Sequence, residues 1–208
     1  MPTLEQARAW YPSNDPVHGF DHILRVVRLA EQLAAIEKAD REIVCTAALL
    51  HDAQEKPTRR VDHHLTSAEF AQRLLQAEGW SIERIDAVLH CIRAHRFRDD
   101  REQPQSIEAK VLFDADKLDA IGATGIARAI AYAIKAGMPF YAPASRQFRD
   151  TGRLEPGELH SAYHEYLFKL AKIQARLYTT SGRNVGAQRH TFMGAYFAQL
   201  QAEVSGER

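Results

Sequence analysis

Apolar residues recur at intervals of three and four along nearly the whole chain, and no stretch alternates apolar and polar residues for long enough to make a strand. That pattern restricts the fold to packed helices, an all-α bundle. The first long helix reads as opened by Asp15-Pro16, an N-cap followed by proline in the first helical position, with Ile23, Val26, Val27, Ala30 and Leu33 on one stripe. Asp40 caps the next, where Ile43, Val44, Ala47, Ala48 and Leu50 leave little polar surface before His51, so this helix is expected at the centre. A polar loop between Pro57 and Leu65 precedes a helix over 67–77 stopped by Gly79. Ser81 then caps another that carries Ile82, Ile85, Val88, Leu89 and Ile92. Residues 98–105 break the pattern; a further helix from Ser106 carries Val111, Leu112 and Leu118, and another runs from about Gly125 to near Gly137.

Pro139, Pro143, Gly152, Pro156 and Gly157 mark 138–158 as a long loop or lid. Two amphipathic helices, about 160–178 and 185–204, are expected beyond it, joined by a Ser181-Gly182 turn. At 208 residues the chain is long enough to bury roughly 70% of the surface its unfolded form exposes, so one domain can form without disulfides. The reading is a single domain over 1–208, with a core at about 15–137, the loop, and C-terminal helices at 159–204.

Charge narrows the partners. Lys and Arg number 27 against 27 Asp and Glu, which disfavours a nucleic-acid-binding domain with its basic excess. No apolar run approaches the roughly 18 residues of a membrane span, and the first ten residues lack a secretory pattern. Cys45 and Cys91 sit in apolar helical stretches without metal-type spacing and read as buried thiols. The expected setting is cytoplasmic, as a monomer or homodimer.

Ten histidines, several beside carboxylates, carry the chemistry. His51-Asp52 emerges where the most apolar helix ends, and burying two such side chains unpaired would cost several kcal/mol. His22 lies one residue before the stripe of its own helix, with His18 one turn earlier. In Phe113-Asp114-Ala115-Asp116-Lys117-Leu118-Asp119, Asp114 and Asp116 point about 200° apart, so Asp116 shares a face with Asp119. Two histidines and two aspartates on three helices suit a hard or borderline divalent ion that keeps open water positions. Such a site fits phosphoryl chemistry. Taken singly, each of these residues also fits an ordinary half-buried histidine or a solvated acidic face.

In order, His22, His51-Asp52 and Asp116 resemble the H…HD…D signature of the HD-domain metal-dependent phosphohydrolases. The strings HILRVVRLA, AALLHDAQEK and DADKLDAIGATGIARA are similar to that family too. The last resembles a small bacterial subgroup with DADRLDAIGAIGIAR, and the similarity continues through HEYLFKLAKIQARLYTTSGR and RHTFMGAYFAQL, roughly from Asp15 to Glu203. The resemblance implies an HD helical bundle with additional C-terminal helices. It implies His22, His51, Asp52 and Asp116 as ligands of one divalent ion, Mn²⁺ first, with Mg²⁺, Co²⁺, Ni²⁺ or Fe²⁺ as alternatives. Glu55, three residues after the HD aspartate, would activate or orient water, Lys56 would hold phosphate, and His95 would stand near the ion. His18, Asp119, Arg128, Lys169 and Arg183 are the expected substrate contacts. His90 is read as structural, and His63-His64 as a solvated pair. Gly122 and Gly125 allow close approach of a ligand or of a packed helix.

The activity implied is hydrolysis of a nucleotide, a (deoxy)nucleoside triphosphate first. The rivals are a phosphatase or phosphodiesterase on another nucleotide, a non-catalytic HD domain that binds nucleotide and signals to a partner, and a purely structural bundle.

Overall fold

The computed structural model describes residues 1–11, 19–53, 62–96 and 102–207, and every regular element among them is helical. The chain divides into two compact units, Met1–Lys117 with Leu177–Gly182, and Leu118–Arg176 with Arg183–Arg208.

The first unit opens with α1 (Leu4–Arg8), set by a reciprocal Thr3 and Gln6 capping box. Helix α2 (Phe20–Glu37) starts after Gly19 and buries Ile23, Val26, Ala30 and Leu33; the Asp15-Pro16 cap lies outside the described residues. Asp40 caps α3 (Arg41–Leu50) by accepting the Glu42 and Ile43 amides, as its position in the sequence predicts. Every residue of α3 from Ile43 to Leu50 is buried, so this helix is the centre of its unit. It packs against both α2 and α5 (Ile82–Ala94), which Ser81 caps; α4 (His63–Ala77) packs on α5. Helix α4 begins four residues before the expected start, because its buried stripe of Ser67, Ala68, Ala71 and Leu75 continues back to His64. Cys45 and Cys91 are buried free thiols.

Helix α6 (Ile107–Asp119) buries Val111, Leu112, Phe113 and Ala115. On it, Asp114 is fully buried and accepts from the Tyr178 amide (2.8 Å), the Thr179 amide (2.7 Å) and the Thr179 hydroxyl (2.6 Å). Glu37 takes the Ser181 amide at 2.8 Å. Glu37 thus satisfies one of the amides that a helix start leaves open and the Thr179 hydroxyl accepts another from Gly182 at 2.9 Å, so α10 (Thr180–Val204) begins at Thr180, and the expected Ser181-Gly182 turn is its first turn instead. Only glycine fits at 182, where a Cβ would fall 2.3 Å from the Asp114 Oδ2.

In the second unit, α7 (Gly122–Lys135) starts three residues before the expected Gly125. Gly125 is a packing glycine, since a Cβ there would lie 2.1 Å from the Ala120 carbonyl oxygen. The expected loop 138–158 contains a short helix, α8 (Arg146–Thr151), capped by Ser145, with its prolines and glycines outside the helix. The helix expected over 160–178 is α9 (Ala162–Phe168) followed by 3₁₀ turns at Leu170–Lys172 and Gln174–Arg176. Threefold turns put Leu170 and Ile173, both buried, on one side.

Candidate metal centre

All the residues of this centre belong to the first unit. Because α3 is apolar to its last residue, its C-cap His51 is fully buried. His51 donates Nδ1–H to the Ala48 carbonyl, three residues back, at 2.8 Å. That bond fixes the tautomer and leaves the lone pair on Nε2, a buried atom without a hydrogen-bond partner. Nε2 lies 3.8 Å from the Asp52 Oδ2, and the ring stands 5.5 Å from that of His22. Ligand atoms of His22, His51 and Asp52 all lie within 4.8 Å of one another. Asp116, on α6, reaches this group through His22, whose Nε2 is 3.4 Å from its Oδ1.

The end of α5 repeats the device. Its C-cap His95, 2% exposed, donates Nδ1–H to the Ile92 carbonyl and presents Nε2 at 3.8 Å from the Asp52 Oδ1. His63, the first residue of α4, brings its own Nε2 to 3.3 Å from that oxygen. Asp52, His63 and His95 therefore form a second group with metal-binding spacing, and Asp52 belongs to both. This corrects the reading of His63-His64 as a solvated pair. His64 is 2% exposed, and its place on the α4 stripe was the signal that a loop assignment obscured. Lys117, which the sequence reading passed over, lies against the Asp116 carboxylate and over the Phe113 ring. Phe113 and Lys117 are i and i+4 on one helix, a relation legible from spacing alone.

Electrostatics agree with the geometry. Burial pushes the His51 imidazole below its ordinary range, and the nearby Asp52 and Asp116 offset only part of that. Burial, His51 and Lys117 depress His95 further. Neutral imidazoles are what a metal requires. Burial alone would raise the Asp52 carboxyl, but His51, His63, His95 and His22 together hold it well below the usual carboxylate range. Burial likewise opposes ionisation of Asp116, and Lys117, the His22 hydrogen bond and His51 reverse the sign. Buried neutral imidazoles beside ionised carboxylates, with an orphaned Nε2 among them, make a donor set able to hold a divalent metal ion.

The remaining expected site residues fall elsewhere. His18, Glu55 and Lys56 lie outside the described residues. Asp119 and Arg128 belong to the second unit, where Arg128 donates to the buried Asp119 at 2.8 Å. Lys169, the C-cap of α9, pairs with Glu165 at 3.2 Å, and Arg183 is exposed in the first turn of α10. His90 is held at both nitrogens, by Glu102 and by the Gln105 amide, as a structural residue would be.

Comparison with known proteins converges on one family. A family model described as HD domain matches residues 19–121, a span that contains both histidine groups. The chain is 34% identical over 209 residues to the uncharacterized protein YpgQ of Bacillus subtilis, covering 97% of this chain and 94% of that one. The crystal structure of YpgQ in complex with ADP superposes with a TM-score of 0.75, covering 98% of this chain and 99% of the other at 34% identity. A crystal structure from Bacillus thuringiensis named as an HD-superfamily hydrolase gives a TM-score of 0.67 at 28% identity, over 89% of this chain and 86% of that one. With its histidines and aspartates grouped as a metal-binding set at the ends of apolar helices, this chain belongs to the HD-domain family of metal-dependent hydrolases.

Proposed function

We propose that this protein is a divalent-metal-dependent phosphohydrolase of nucleotides, with (deoxy)nucleoside triphosphates as the first substrate class. The observation that carries the metal reading is the buried His51 Nε2, left without a partner beside Asp52 and His22. The nucleotide reading is supported by the ADP complex of YpgQ. His22, His51, Asp52 and Asp116 would hold one ion, Mn²⁺ first. Such an ion supplies Lewis acidity at a phosphoryl oxygen and at water. A soft thiolate site is not needed, and both cysteines lie buried as free thiols.

The chain's own groups divide the rest of the work. His95 holds its Nδ1 proton on the Ile92 carbonyl, so its Nε2 is the atom that accepts a proton or contacts phosphate. Lys117 adds positive charge next to Asp116, where a substrate phosphate needs neutralising. Glu55 is assigned to orient or deprotonate water and Lys56 to hold phosphate. His18, Asp119, Arg128, Lys169 and Arg183 are assigned to the substrate, with Asp119 acting through the Arg128 guanidinium it orients. We read the two units as parts of one functional domain.

A second reading has its own observation. Asp52, His63 and His95 have metal-binding spacing and share Asp52 with the first group, which favours two ions bridged by one carboxylate. Elemental analysis of protein saturated with Mn²⁺ separates the readings, one ion per chain against two. The test of function is a panel of nucleoside and deoxynucleoside mono-, di- and triphosphates and cyclic nucleotides with Mn²⁺, reading phosphate against pyrophosphate. Release from triphosphates is the expected result, and no release from any nucleotide by metal-loaded protein would overturn the proposal.

A further inference from the structure

Helix α3 ends inside its unit, so its last carbonyls need partners that water does not supply. The Ala48 carbonyl takes the His51 Nδ1–H, and the Leu50 carbonyl takes the Ala53 amide at 3.1 Å. Between them, the Leu49 carbonyl accepts from the Tyr11 hydroxyl at 2.6 Å, across 38 residues of sequence. Tyr11 is buried, 8% exposed, with its ring 6.0 Å from that of Phe20. It lies outside residues 19–121, the span of the family match.

We propose that Tyr11 is a positioning residue for the metal centre, its hydroxyl bracing the helix end that aims His51 and Asp52. The inference rests on the metal reading given above. The hydroxyl holds the carbonyl two residues before His51 and three before Asp52, whose carboxylate serves both histidine groups. Without it, the Leu49 carbonyl becomes a buried acceptor lacking a donor, and the turn that carries His51 and Asp52 relaxes to find one. A displaced backbone at a ligand spreads the donor set, which metal affinity reports directly. Groups that orient a ligand without touching the metal are worth 10- to 100-fold in affinity on substitution.

Tyr11→Phe removes that oxygen alone and keeps the ring against Phe20. Mn²⁺ affinity, measured by titration against a chromophoric chelator on full-length protein, is expected to weaken tenfold or more. Far-UV circular dichroism and the melting temperature of the metal-free protein report the fold separately. Affinity within twofold of wild type overturns the proposal, including the case in which only the melting temperature falls and Tyr11 serves stability alone. If wild-type protein binds no Mn²⁺, the metal reading itself fails, a result distinct from equal binding by both proteins. Should Tyr11→Phe not fold, wild-type protein labelled with 3-fluorotyrosine gives a second measurement. The Tyr11 ¹⁹F resonance is expected to shift on addition of Mg²⁺, and an unmoved resonance overturns the proposal.

Discussion

Two histidine and carboxylate clusters, one in each unit, share residue types and differ in how their polar atoms are satisfied. In the first unit, His51 and His95 each donate Nδ1–H to a carbonyl three residues back, and the Nε2 atoms are left facing Asp52. In the second, His164 is fully buried with both nitrogens engaged: Ser161 lies 2.8 Å from Nδ1, and Nε2 donates to Glu158 at 3.1 Å. Glu158 in turn accepts from the Ser145 amide and hydroxyl and from the Glu155 amide. A Ser-His-Glu sequence of contacts resembles a nucleophilic triad, yet Ser161 is buried and caps α9, so the set locks the 145–164 segment to itself. A closed network stabilises, whereas one that leaves a buried lone pair unanswered carries a cost that only a ligand relieves.

The strongest attempt to break this contrast removes a proposed ligand. His51→Ala or Asp52→Ala is expected to abolish bound metal and hydrolysis together while the far-UV spectrum stays helical. Elemental analysis checks it, and wild-type metal content in either variant would end the distinction. Chelation of wild-type protein should lower its melting temperature as well, since a metal held at about 100 times its Kd contributes about 2.7 kcal/mol.

Next in size, Glu55→Gln should keep the metal and slow turnover by about 10², the scale of a lost acid–base group. Metal content and kcat measured on one preparation decide it, and an unchanged kcat reduces Glu55 to a surface residue.

His164→Ala sharpens the comparison from the other side. It leaves Glu158 and Ser161 short of a partner and opens a cavity, so stability should fall by about 2–3 kcal/mol with metal content unchanged. Loss of metal in that variant, read by elemental analysis beside a thermal melt, would show that the closed network is not separate from the centre.

The smallest effect is acid sensitivity. Burial alone would raise the Glu158 carboxyl, but the Ser145 and Glu155 amides, His164 and the Ser145 hydroxyl lower it to about 2 from an ordinary 4.5. A depressed carboxyl stabilises the fold above its unfolded value, and that contribution is lost as the pH falls from about 4.5 through about 2. Glu158→Gln should flatten the decline of melting temperature in that window, and an unaltered slope would assign the acid transition to other groups.

Much of the centre was legible from residue order. An apolar run ending in His51-Asp52 forces polar atoms into a core, and helical spacing together with the family-like strings pointed to His22 and Asp116. His63 was missed because loop-like composition before it hid the start of α4, and Lys117 because a charged residue beside an aspartate reads as solvated. Asp119 and Arg128 were each assigned to substrate from sequence, and the structure pairs them with one another.

The sequence by itself determined what depends on neighbours within a turn or two: helical periodicity, the Asp40 and Ser81 caps, and the buried character of α3. Tertiary structure decided how the start of α10 is fixed, because the acceptors for the Tyr178 and Thr179 amides just before it and for the Ser181 amide within it, Asp114 and Glu37, come from residues 64 to 144 positions away. It also decided that one aspartate serves two histidine groups and that Tyr11 closes the end of α3. Hydrogen-bond satisfaction at a buried helix end is a property of whatever packs against it, and no local pattern of residues records that partner.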